Sequence, residues 1–467
     1  MTEERQIKLS VLNDIFTMLK HKDGEPKFVG GAVRDFLLEN PEILKKFRKV
    51  WSCEVKAKFA ENIFFEYCIK NNKDIDITTT LLPNKVQSLF AQKGYTAKTT
   101  LATNIIVKHG LKTEITTLRN DYEQDGRQTK ISYSTDIRDD SRRRDFTINA
   151  IYLDFTILED KSYDFRLYDL QSGIACLKTK IVKFIGFPKD RIQEDYLRLL
   201  RFFRFTARFA IKPNHEGFRF CKILAPDFAK ACLPNAQGDV ILAKERVRDE
   251  ILQIIDINGG LKLLQQASDK GFLHILLRAS SQEDVAIGMQ KTEQIKTLDA
   301  NIDSIILLLT ICGLDTTKRL IPITNADYII INNYIKTKHY AFCDFNFNSQ
   351  KSKCKIDTNL SIKTKLLHLV IKKDRQSICK ALLLLFGLDC NVKSFDMFSE
   401  FYNFIKDTNI DHIEKVTFDS LTKYQKYLKK YFQLSHSFAK NIEELKGPAI
   451  SEAIDFVQLE IIKKSLI

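Results

Sequence analysis

Hydrophobic and polar residues follow two different periods along this chain of 467 residues. Over residues 1–22, apolar side chains such as Leu12, Ile15 and Leu19 recur at the spacing of one helix face. Between residue 73 and about residue 155, β-branched runs separated by Gly, Asn and Asp predict strands and turns. After residue 165 most apolar residues return to the helical period. The pattern therefore predicts an α+β fold, with an N-terminal α/β head followed by all-helical regions.

Three stretches stand out from this pattern. Residues 40–72 interrupt the head with the basic run KKFRK and the only tryptophan, Trp51. Residues 190–210, which read DRIQEDYLRLLRFFRFTARFA, predict one continuous helix. Residues 336–358 are rich in Lys, Asn and Ser, and they predict a linker or an irregular loop.

Charge and cysteine content narrow the class of protein. The formal net charge of +14 favours a polyanionic partner, although a lysine-rich genome bias produces the same excess without function. The ten cysteines occur singly, without CxxC pairs, which argues against a zinc module and indicates a reducing compartment. The N-terminus lacks the apolar region of a signal peptide, and no apolar run is long enough to cross a bilayer. We therefore expect a cytoplasmic protein that has no membrane contact.

The stretch FVGGAVRDFLL places Gly30 and Gly31 between a predicted strand and a predicted helix. Glycines let the backbone approach a ligand, and the free N–H groups at the start of a helix bind anions. Arg34, in the first turn of that helix, is a candidate phosphate ligand. The alternative is a tight turn followed by a surface ion pair between Arg34 and Asp35.

The stretch KDIDITTT carries two carboxylates at positions i and i+2, Asp74 and Asp76. On a strand these side chains face the same side, where together they can hold Mg²⁺ with substrate phosphates as further ligands. A third carboxylate is expected on a neighbouring strand, and Glu114 in KTEITTLR is better placed than Glu123 or Asp125. The alternatives are a solvent-facing polar row for the two aspartates and an ordinary cross-strand charge pair for Glu114.

Three arginines in SRRRDFTINAIYLD come directly before Asp145 and a predicted strand. Planar guanidinium groups match the oxygens of a triphosphate, so Arg143 and Arg144 are candidate nucleotide ligands. A basic, solvated turn is the alternative.

The run EDYLRLLR offers a means of selecting a base. On one helix Glu194, Arg198 and Arg201 share a face, and Asp195 is an i, i+3 neighbour of Arg198. A carboxylate accepts hydrogen bonds and a guanidinium donates them, so a fixed Asp–Arg pair would match cytosine and adenine. Uracil and guanine present the reverse order of donor and acceptor and would be rejected. Ordinary salt bridges on an amphipathic helix are the alternative.

In chain order the sequence contains GGAVRD, DID, RRDFTINA, YDLQSGIACL, EDYLRLLRFFRF and ERVRDE. Together these runs, over about residues 26–255, resemble the class II tRNA nucleotidyltransferase (CCA-adding enzyme) and bacterial poly(A) polymerase family. The resemblance implies a nucleotidyltransferase-type head with a mixed sheet, then a helical neck, body and tail. The expected domains are a head over 1–155 with an insert at about 40–72, a neck with the base-selecting helix over 156–225, a body over 226–335, and a tRNA-binding tail over 336–467.

The resemblance also implies roles for particular residues. Asp74 and Asp76 would hold Mg²⁺, and the third carboxylate would be Glu114. The incoming triphosphate would contact Gly30, Gly31 and Arg34, while ribose and phosphate would contact Arg143, Arg144 and Asp145. The amino-acid template for the base would be Glu194, Asp195 and Arg198, with Arg201 nearby and with Glu245 and Arg246 as braces. Residues 168–177 would form a hinge, although Cys176 replaces a usual aspartate, and residues 120–140 would form a flexible loop.

The implied reaction is the template-independent addition of CCA to the 3′ end of tRNA, from CTP and ATP, with release of pyrophosphate. The alternatives are a poly(A) polymerase or A-only enzyme, and a catalytically silent RNA-binding protein. The head lacks the apolar–Gly–basic–Phe signature typical of the poly(A) polymerases, which favours CCA addition. The sequence does not identify protein partners.

Overall fold

The structure is a computed structural model whose described residues form two compact units, Met1–Phe272 and Leu273–Ile467. The described residues are 3–46, 54–59, 62–125, 128–209, 214–233, 240–267, 282–299, 302–312, 324–342 and 375–389, with isolated positions between 366 and 407.

An eight-stranded mixed sheet forms the centre of the first unit, in the order β2-β10-β9-β1-β3-β6-β5-β4. Strands β3 and β6 run parallel, and the other neighbouring pairs are antiparallel. The strands are β1 Lys27–Val29, β2 Glu54–Phe59, β3 Ile75–Thr79, β4 Thr96–Thr100, β5 Thr103–Lys108, β6 Leu111–Thr117, β9 Ile151–Ile157 and β10 Tyr163–Asp169. A mixed α/β head is therefore present, as the sequence predicts.

Helices cover the faces and ends of this sheet. The predicted first helix is confirmed, because α1 runs over Glu3–His21 and buries the apolar face that contains Leu12, Ile15 and Leu19. Phe16 of α1 stacks on Phe28 of β1 with 5.0 Å between ring centroids, so the helix is fixed to the middle of the sheet. The other helices of the head are α2 Gly31–Glu39, α3 Pro41–Lys46, α4 Ile63–Lys70, α5 Pro83–Ala91, α6 Ile137–Arg143 and α7 Gly173–Thr179.

The segment at 40–72, which the sequence sets apart as an insert, is built into the head. Its strand β2 pairs along its full length with β10 at the edge of the sheet. Its helix α4 buries Phe64 completely, with the ring 5.0 Å from Phe28 and 5.2 Å from Phe36. The described part of this segment therefore completes the core, and most of the basic run KKFRK lies outside the described residues.

Two predicted elements differ from the structure in their bounds. The sheet continues through β10 to Asp169, past the predicted end of the head at residue 155. The predicted single helix over 190–210 is two helices, α8 Pro188–Glu194 and α9 Leu197–Arg208. Asp195 is extended between them (φ −147°, ψ 102°), because its carboxylate accepts a hydrogen bond from the backbone N–H of Leu197 and competes with the helical pattern.

The predicted flexible loop over 120–140 has regular structure in its described part. Strands β7 Arg119–Asp125 and β8 Gln128–Tyr133 form a separate two-stranded sheet, and α6 follows. At the predicted hinge, Asp169 accepts hydrogen bonds from the backbone N–H groups of Gly173 and Ile174 at 2.7 and 2.9 Å. The carboxylate therefore caps the start of α7 and fixes its direction after the sheet.

Helices follow the head, as predicted. The remaining helices of the first unit are α8 and α9 with α10 His215–Ala231, α11 Lys244–Asp256 and α12 Gly260–Ala267. The second unit contains helices over Gln282–Leu298, Ser304–Cys312, Asn325–Phe342 and Arg375–Asp389. The first part of the predicted linker at 336–358 is therefore helical, and the rest lies outside the described residues, as does most of the predicted tail. In the described parts of the chain, no helix is long and apolar enough to span a bilayer.

Candidate active site

The two aspartates of the DID run lie on the wall of one cavity of about 480 Å³. Asp74 immediately precedes β3, and Asp76 is the second residue of that strand. Strand β1 runs antiparallel to β3 and places Val29 opposite Asp76, so the chain turns into Gly30 directly over the carboxylate. A Cβ atom at Gly30 would lie 3.0 Å from Asp76 Oδ2, and Gly30 has φ +79°. Glycine is therefore required at position 30 both for space and for backbone conformation.

Glu114 lies on β6 directly beside Asp76 in the parallel register, and hence on the same face of the sheet. Its carboxylate is half-exposed and accepts a hydrogen bond from Lys112 at 2.7 Å. Burial raises the pKa of Asp76 to about 6; the charge of Arg144 acts against this rise, and the charges of Glu114 and Asp74 add to it. The structure thus brings the three predicted carboxylates to one end of the sheet.

The donor chemistry at this point fits a hard divalent cation. Oxygen ligands from one or two carboxylates, completed by substrate phosphates, are the usual environment of Mg²⁺. Asp74 and Asp76 supply two such ligands on one cavity wall, and their mutual repulsion would be relieved by a cation. Among the described residues, no group of three or more His, Cys, Asp or Glu side chains is arranged to hold a metal ion. Water and substrate oxygens would complete the coordination of a cation at Asp74 and Asp76.

Arg34 is buried in the wall of the same cavity, and it is not part of a surface pair. Its guanidinium donates to Asp35 at 2.8 Å and to the side-chain oxygen of Asn149 at 2.7 Å. The ring of Phe205 stacks beneath the guanidinium carbon at 4.9 Å. These contacts fix the cation at the start of α2, where the free N–H groups of the helix also point.

Arg143 and Arg144 are held by one carboxylate that the sequence does not single out. Asp140 is fully buried; it accepts from Arg143 Nε at 2.8 Å, from Arg144 Nε at 2.9 Å and from the Tyr152 hydroxyl at 2.8 Å. Arg142 instead points to solvent and lies 3.5 Å from Asp139. Two of the three clustered arginines, Arg143 at the end of α6 and Arg144 directly after it, are therefore held on the side of the site.

Asp145 links the head to helix α9. Its carboxylate accepts from Arg201 Nε at 2.8 Å, from the Asn149 amide at 3.0 Å and from the backbone N–H of Phe146 at 2.8 Å. Burial opposes ionisation of Asp145, but the charge of Arg201 and these hydrogen bonds outweigh it and lower its pKa to about 2. Asp145 is therefore ionised throughout the physiological range.

The predicted pairing of Asp195 with Arg198 is wrong in this structure. Arg198 Nη1 donates to Glu194 Oε2 at 2.6 Å, whereas Asp195 Oδ2 accepts from Arg246 at 3.2 Å. The break between α8 and α9 separates the two side chains that a continuous helix would have paired. Arg246 contacts Asp195, as the resemblance implies, while Glu194, Asp195 and Arg198 are not among the residues that line the cavity of about 480 Å³.

Several cavity residues were missed in the sequence. Arg204 and Arg208 lie three and seven residues after Arg201, so a helical-face count of cations would have found them. Arg208 and Lys73 both contact Asp35, at 2.8 and 3.3 Å. The cavity wall has six basic side chains against four carboxylates, a formal excess of two positive charges: Arg34, Lys73, Arg144, Arg201, Arg204 and Arg208 against Asp35, Asp74, Asp76 and Asp145.

A further missed residue, Arg191 on α8, binds the backbone of the arginine pair. Its Nη2 atom donates to the carbonyl oxygens of Arg143 and Arg144 at 2.7 and 3.0 Å, and its Nη1 atom contacts Glu194. Arg198 Nη2 also reaches the Arg143 carbonyl at 3.3 Å. The segment that contains Arg191 and Arg198 is thus hydrogen-bonded to the chain that carries Arg143 and Arg144.

A mixed sheet with a strand–Gly-Gly–helix turn over paired carboxylates faces a cavity rich in arginine. Residues 27–183 match the family model of the poly A polymerase head domain. The predicted resemblance is confirmed.

Two curated relatives are named CCA tRNA nucleotidyltransferase 1. The chain is 34% identical over 222 residues to the human mitochondrial CCA tRNA nucleotidyltransferase 1, covering 45% of this chain and 46% of the relative. It is 35% identical over 276 residues to the protein of that name from Danio rerio, covering 50% of this chain and 59% of the relative. The chain therefore spans about half the length of the curated relatives it matches.

A solved structure has a similar fold over the whole length of this chain. The Bacillus stearothermophilus CCA-adding enzyme, crystallised in complex with CTP, matches with a TM-score of 0.52 and 16% identity. This match covers 100% of this chain and 94% of that one. It supports the predicted fold of a mixed α/β head followed by helical regions.

Proposed function

We propose that this protein adds CCA to the 3′ end of tRNA, using CTP and ATP and releasing pyrophosphate. The observation that carries the proposal is the position of Asp76: it lies under the Gly30 turn, on the wall of a cavity with six basic side chains. Such a site suits a nucleoside triphosphate whose reacting phosphate meets a metal-binding carboxylate. The names of the curated relatives support tRNA as the acceptor.

The reaction needs positioning and charge neutralisation more than covalent chemistry by the protein. The free N–H groups at the start of α2 and the fixed guanidinium of Arg34 would bind the phosphates. Arg144 and the α9 arginines would neutralise charge that develops on the departing pyrophosphate. Asp74 and Asp76 would hold Mg²⁺, which when bound lowers the pKa of an attacking hydroxyl and stabilises the leaving group.

Two alternatives remain distinct from this proposal: a poly(A) polymerase or A-only enzyme, and an RNA-binding protein without catalysis. The three are separated by tRNA transcripts that lack the whole CCA end, lack only the final A, or are unrelated RNA, each supplied with single nucleotides. We expect C incorporation on the first, A incorporation on the second and little product with UTP or GTP. Repeated A addition on unrelated RNA, or no product at all, would establish an alternative.

We further propose that Glu194, Asp195 and Arg198 select the base. Binding of CTP or ATP would then exchange the Glu194–Arg198 and Asp195–Arg246 contacts for contacts with the base. Asp195→Ala is expected to reduce the preference for CTP over UTP at least about tenfold, because a polar site that matches the base gives most of the discrimination. Single-turnover incorporation from each nucleotide measures the effect. The matched control is Asp190→Ala, because Asp190 is an exposed carboxylate on α8. An unchanged preference for CTP over UTP in Asp195→Ala would refute the assignment.

Metal binding should depend on pH through Asp76. The pKa of Asp76, about 6, means that the carboxylate is ionised above pH 6 and increasingly protonated below it. A proton and Mg²⁺ compete for the same oxygens, so the affinity for Mg²⁺ should be constant above about pH 7 and fall about tenfold per pH unit well below pH 6. Calorimetric titration without nucleotide, at several pH values from 7.5 to 5, measures this affinity. A constant affinity over that range would contradict the role of Asp76.

The helical tail is proposed to bind tRNA, and the formal net charge of +14 supports a phosphate-rich partner.

The expected compartment is the cytoplasm, and the mitochondrial relatives make the mitochondrion the alternative to test by cell fractionation.

A further inference from the structure

A second cavity, of about 220 Å³, shares Asp76 and Arg144 with the cavity of about 480 Å³ described above. All its other lining residues differ from those of the larger cavity. The two cavities therefore meet at the candidate catalytic carboxylate, and each has its own walls.

One wall of the smaller cavity is a row of hydroxyl groups on the sheet. Thr78 follows Asp76 by two residues on β3, so both face the same side of the sheet. Thr116 lies opposite Thr78 on the parallel strand β6, and the hydroxyl of Thr103 is 2.9 Å from that of Thr116. This wall can donate or accept hydrogen bonds, and it continues directly from the catalytic face.

The other wall has three arginines: Arg119, Arg143 and Arg144. Arg119 Nε donates to Asp121 at 2.8 Å, while Asp140 binds both Arg143 and Arg144. Arg143 also lies 3.9 Å from Asp121, so three guanidinium groups share two carboxylates. Burial and then the nearby charge of Arg143 lower the pKa of Arg119. An anion in this cavity would relieve that crowding of positive charge.

The reaction itself requires two binding sites on opposite sides of the reacting phosphorus. The attacking hydroxyl and the leaving pyrophosphate lie roughly in line, so the acceptor has to approach from the side away from the triphosphate. The larger cavity has the helix N-terminus and most of the cations, which suits the triphosphate. The smaller cavity has less than half that volume and meets the larger one at Asp76, which suits a single phosphate and its ribose.

We infer that this second cavity binds the last phosphodiester of the acceptor RNA, with Arg119 as its charged ligand, in line with the proposed function on which the inference rests. Arg119 is the first residue of β7, so the β7–β8 sheet contributes directly to the acceptor site. The three threonines would form the wall beside the terminal ribose.

A double-mutant cycle tests this contact between Arg119 and the terminal phosphate. The affinity of wild-type protein and of Arg119→Gln is measured, without nucleotide, for a tRNA transcript with a normal last linkage and for one with a neutral methylphosphonate there. In wild-type protein the methylphosphonate should weaken binding at least about tenfold, as expected for a charge-assisted hydrogen bond. In Arg119→Gln it should weaken binding less than about threefold, because the partner is already lost.

Arg138→Gln is the matched control, because Arg138 is an exposed arginine on the nearby helix α6 and pairs with Asp136. It should show the wild-type penalty. Arg119→Lys retains the positive charge, so the methylphosphonate should again weaken binding, though less than in wild-type protein. This variant distinguishes a lost phosphate contact from a lost fold if Arg119→Gln has a lowered melting temperature. Equal penalties in wild-type protein and Arg119→Gln would overturn the inference. Failure of the proposed function would appear differently, as no addition of C or A by wild-type protein.

Discussion

Asp76→Asn is expected to lower the rate of nucleotide incorporation at least about 1,000-fold while the protein remains folded, because metal-ion catalysis supplies several kcal/mol of transition-state stabilisation. Asparagine keeps the shape of the side chain but is a much weaker metal ligand. The measurement is single-turnover extension of a tRNA transcript with saturating CTP and Mg²⁺.

The fold should tolerate this change well. The carboxylate of Asp76 is disfavoured by burial and by the neighbouring charges of Glu114 and Asp74. A neutral amide removes both the cost of burying a charge and the repulsion from Glu114 and Asp74, so the melting temperature should be unchanged or slightly higher. Asp164→Asn on β10 is the control, since Asp164 lies in the same sheet but lines neither cavity. Near-normal incorporation by Asp76→Asn would remove the metal assignment and, with it, the proposed mechanism.

Asp140→Asn is expected to be the most destabilising single change near the site, lowering the free energy of unfolding by about 3 kcal/mol. Asp140 is fully buried, and its carboxylate neutralises both Arg143 and Arg144. Substitution leaves two largely buried guanidinium groups without their counter-charge. Burial would raise the pKa of Asp140, but the charges of Arg144 and Arg143 outweigh it and lower the pKa, so the wild-type carboxylate is ionised at neutral pH.

The control for this change lies on the same helix. Asp136 accepts from the backbone N–H of Arg138 at the start of α6 and is partly exposed. Asparagine is nearly as good a cap as aspartate, so Asp136→Asn should cost less than about 1 kcal/mol. Thermal melting of the two variants and the wild-type protein gives the comparison. Equal melting temperatures for Asp140→Asn and Asp136→Asn would show that the arginines do not need the buried carboxylate.

Local sequence was sufficient where the chemistry lies within one turn or one strand. Gly30 is identifiable because a strand, two glycines and a helix start follow each other directly. In the structure, a Cβ atom added at Gly30 would lie 3.0 Å from Asp76 Oδ2. Asp74 and Asp76 are candidates by their spacing, since two carboxylates at i and i+2 meet on one side of a strand, but the spacing alone also fits a solvent-facing polar row. The segment at 40–72 gave no such indication, because pairing of β2 with the distant strand β10 depends on the whole sheet.

The segment over residues 190–210 shows where local periodicity failed. Its apolar spacing fits one helix through residue 195, but the carboxylate of Asp195 bonds the backbone of Leu197 and ends the regular pattern. The side chain that pairs with Asp195 is Arg246 of α11, which is far away in the sequence. No i, i+3 rule can anticipate a partner from another helix, so the predicted Asp195–Arg198 pair did not form.

The sequence by itself determined the order of head and helices, the glycine turn, the carboxylate pair and the arginines before β9, because each depends on residues close together in the chain. Only the tertiary structure decided what these groups face. Packing of α9 against the head brings Arg201, Arg204 and Arg208 into the cavity of Asp76, and the buried Asp140 fixes the pair Arg143 and Arg144. The physical reason is that a buried charge needs a partner of opposite sign, and in a folded chain that partner can come from any element that reaches it.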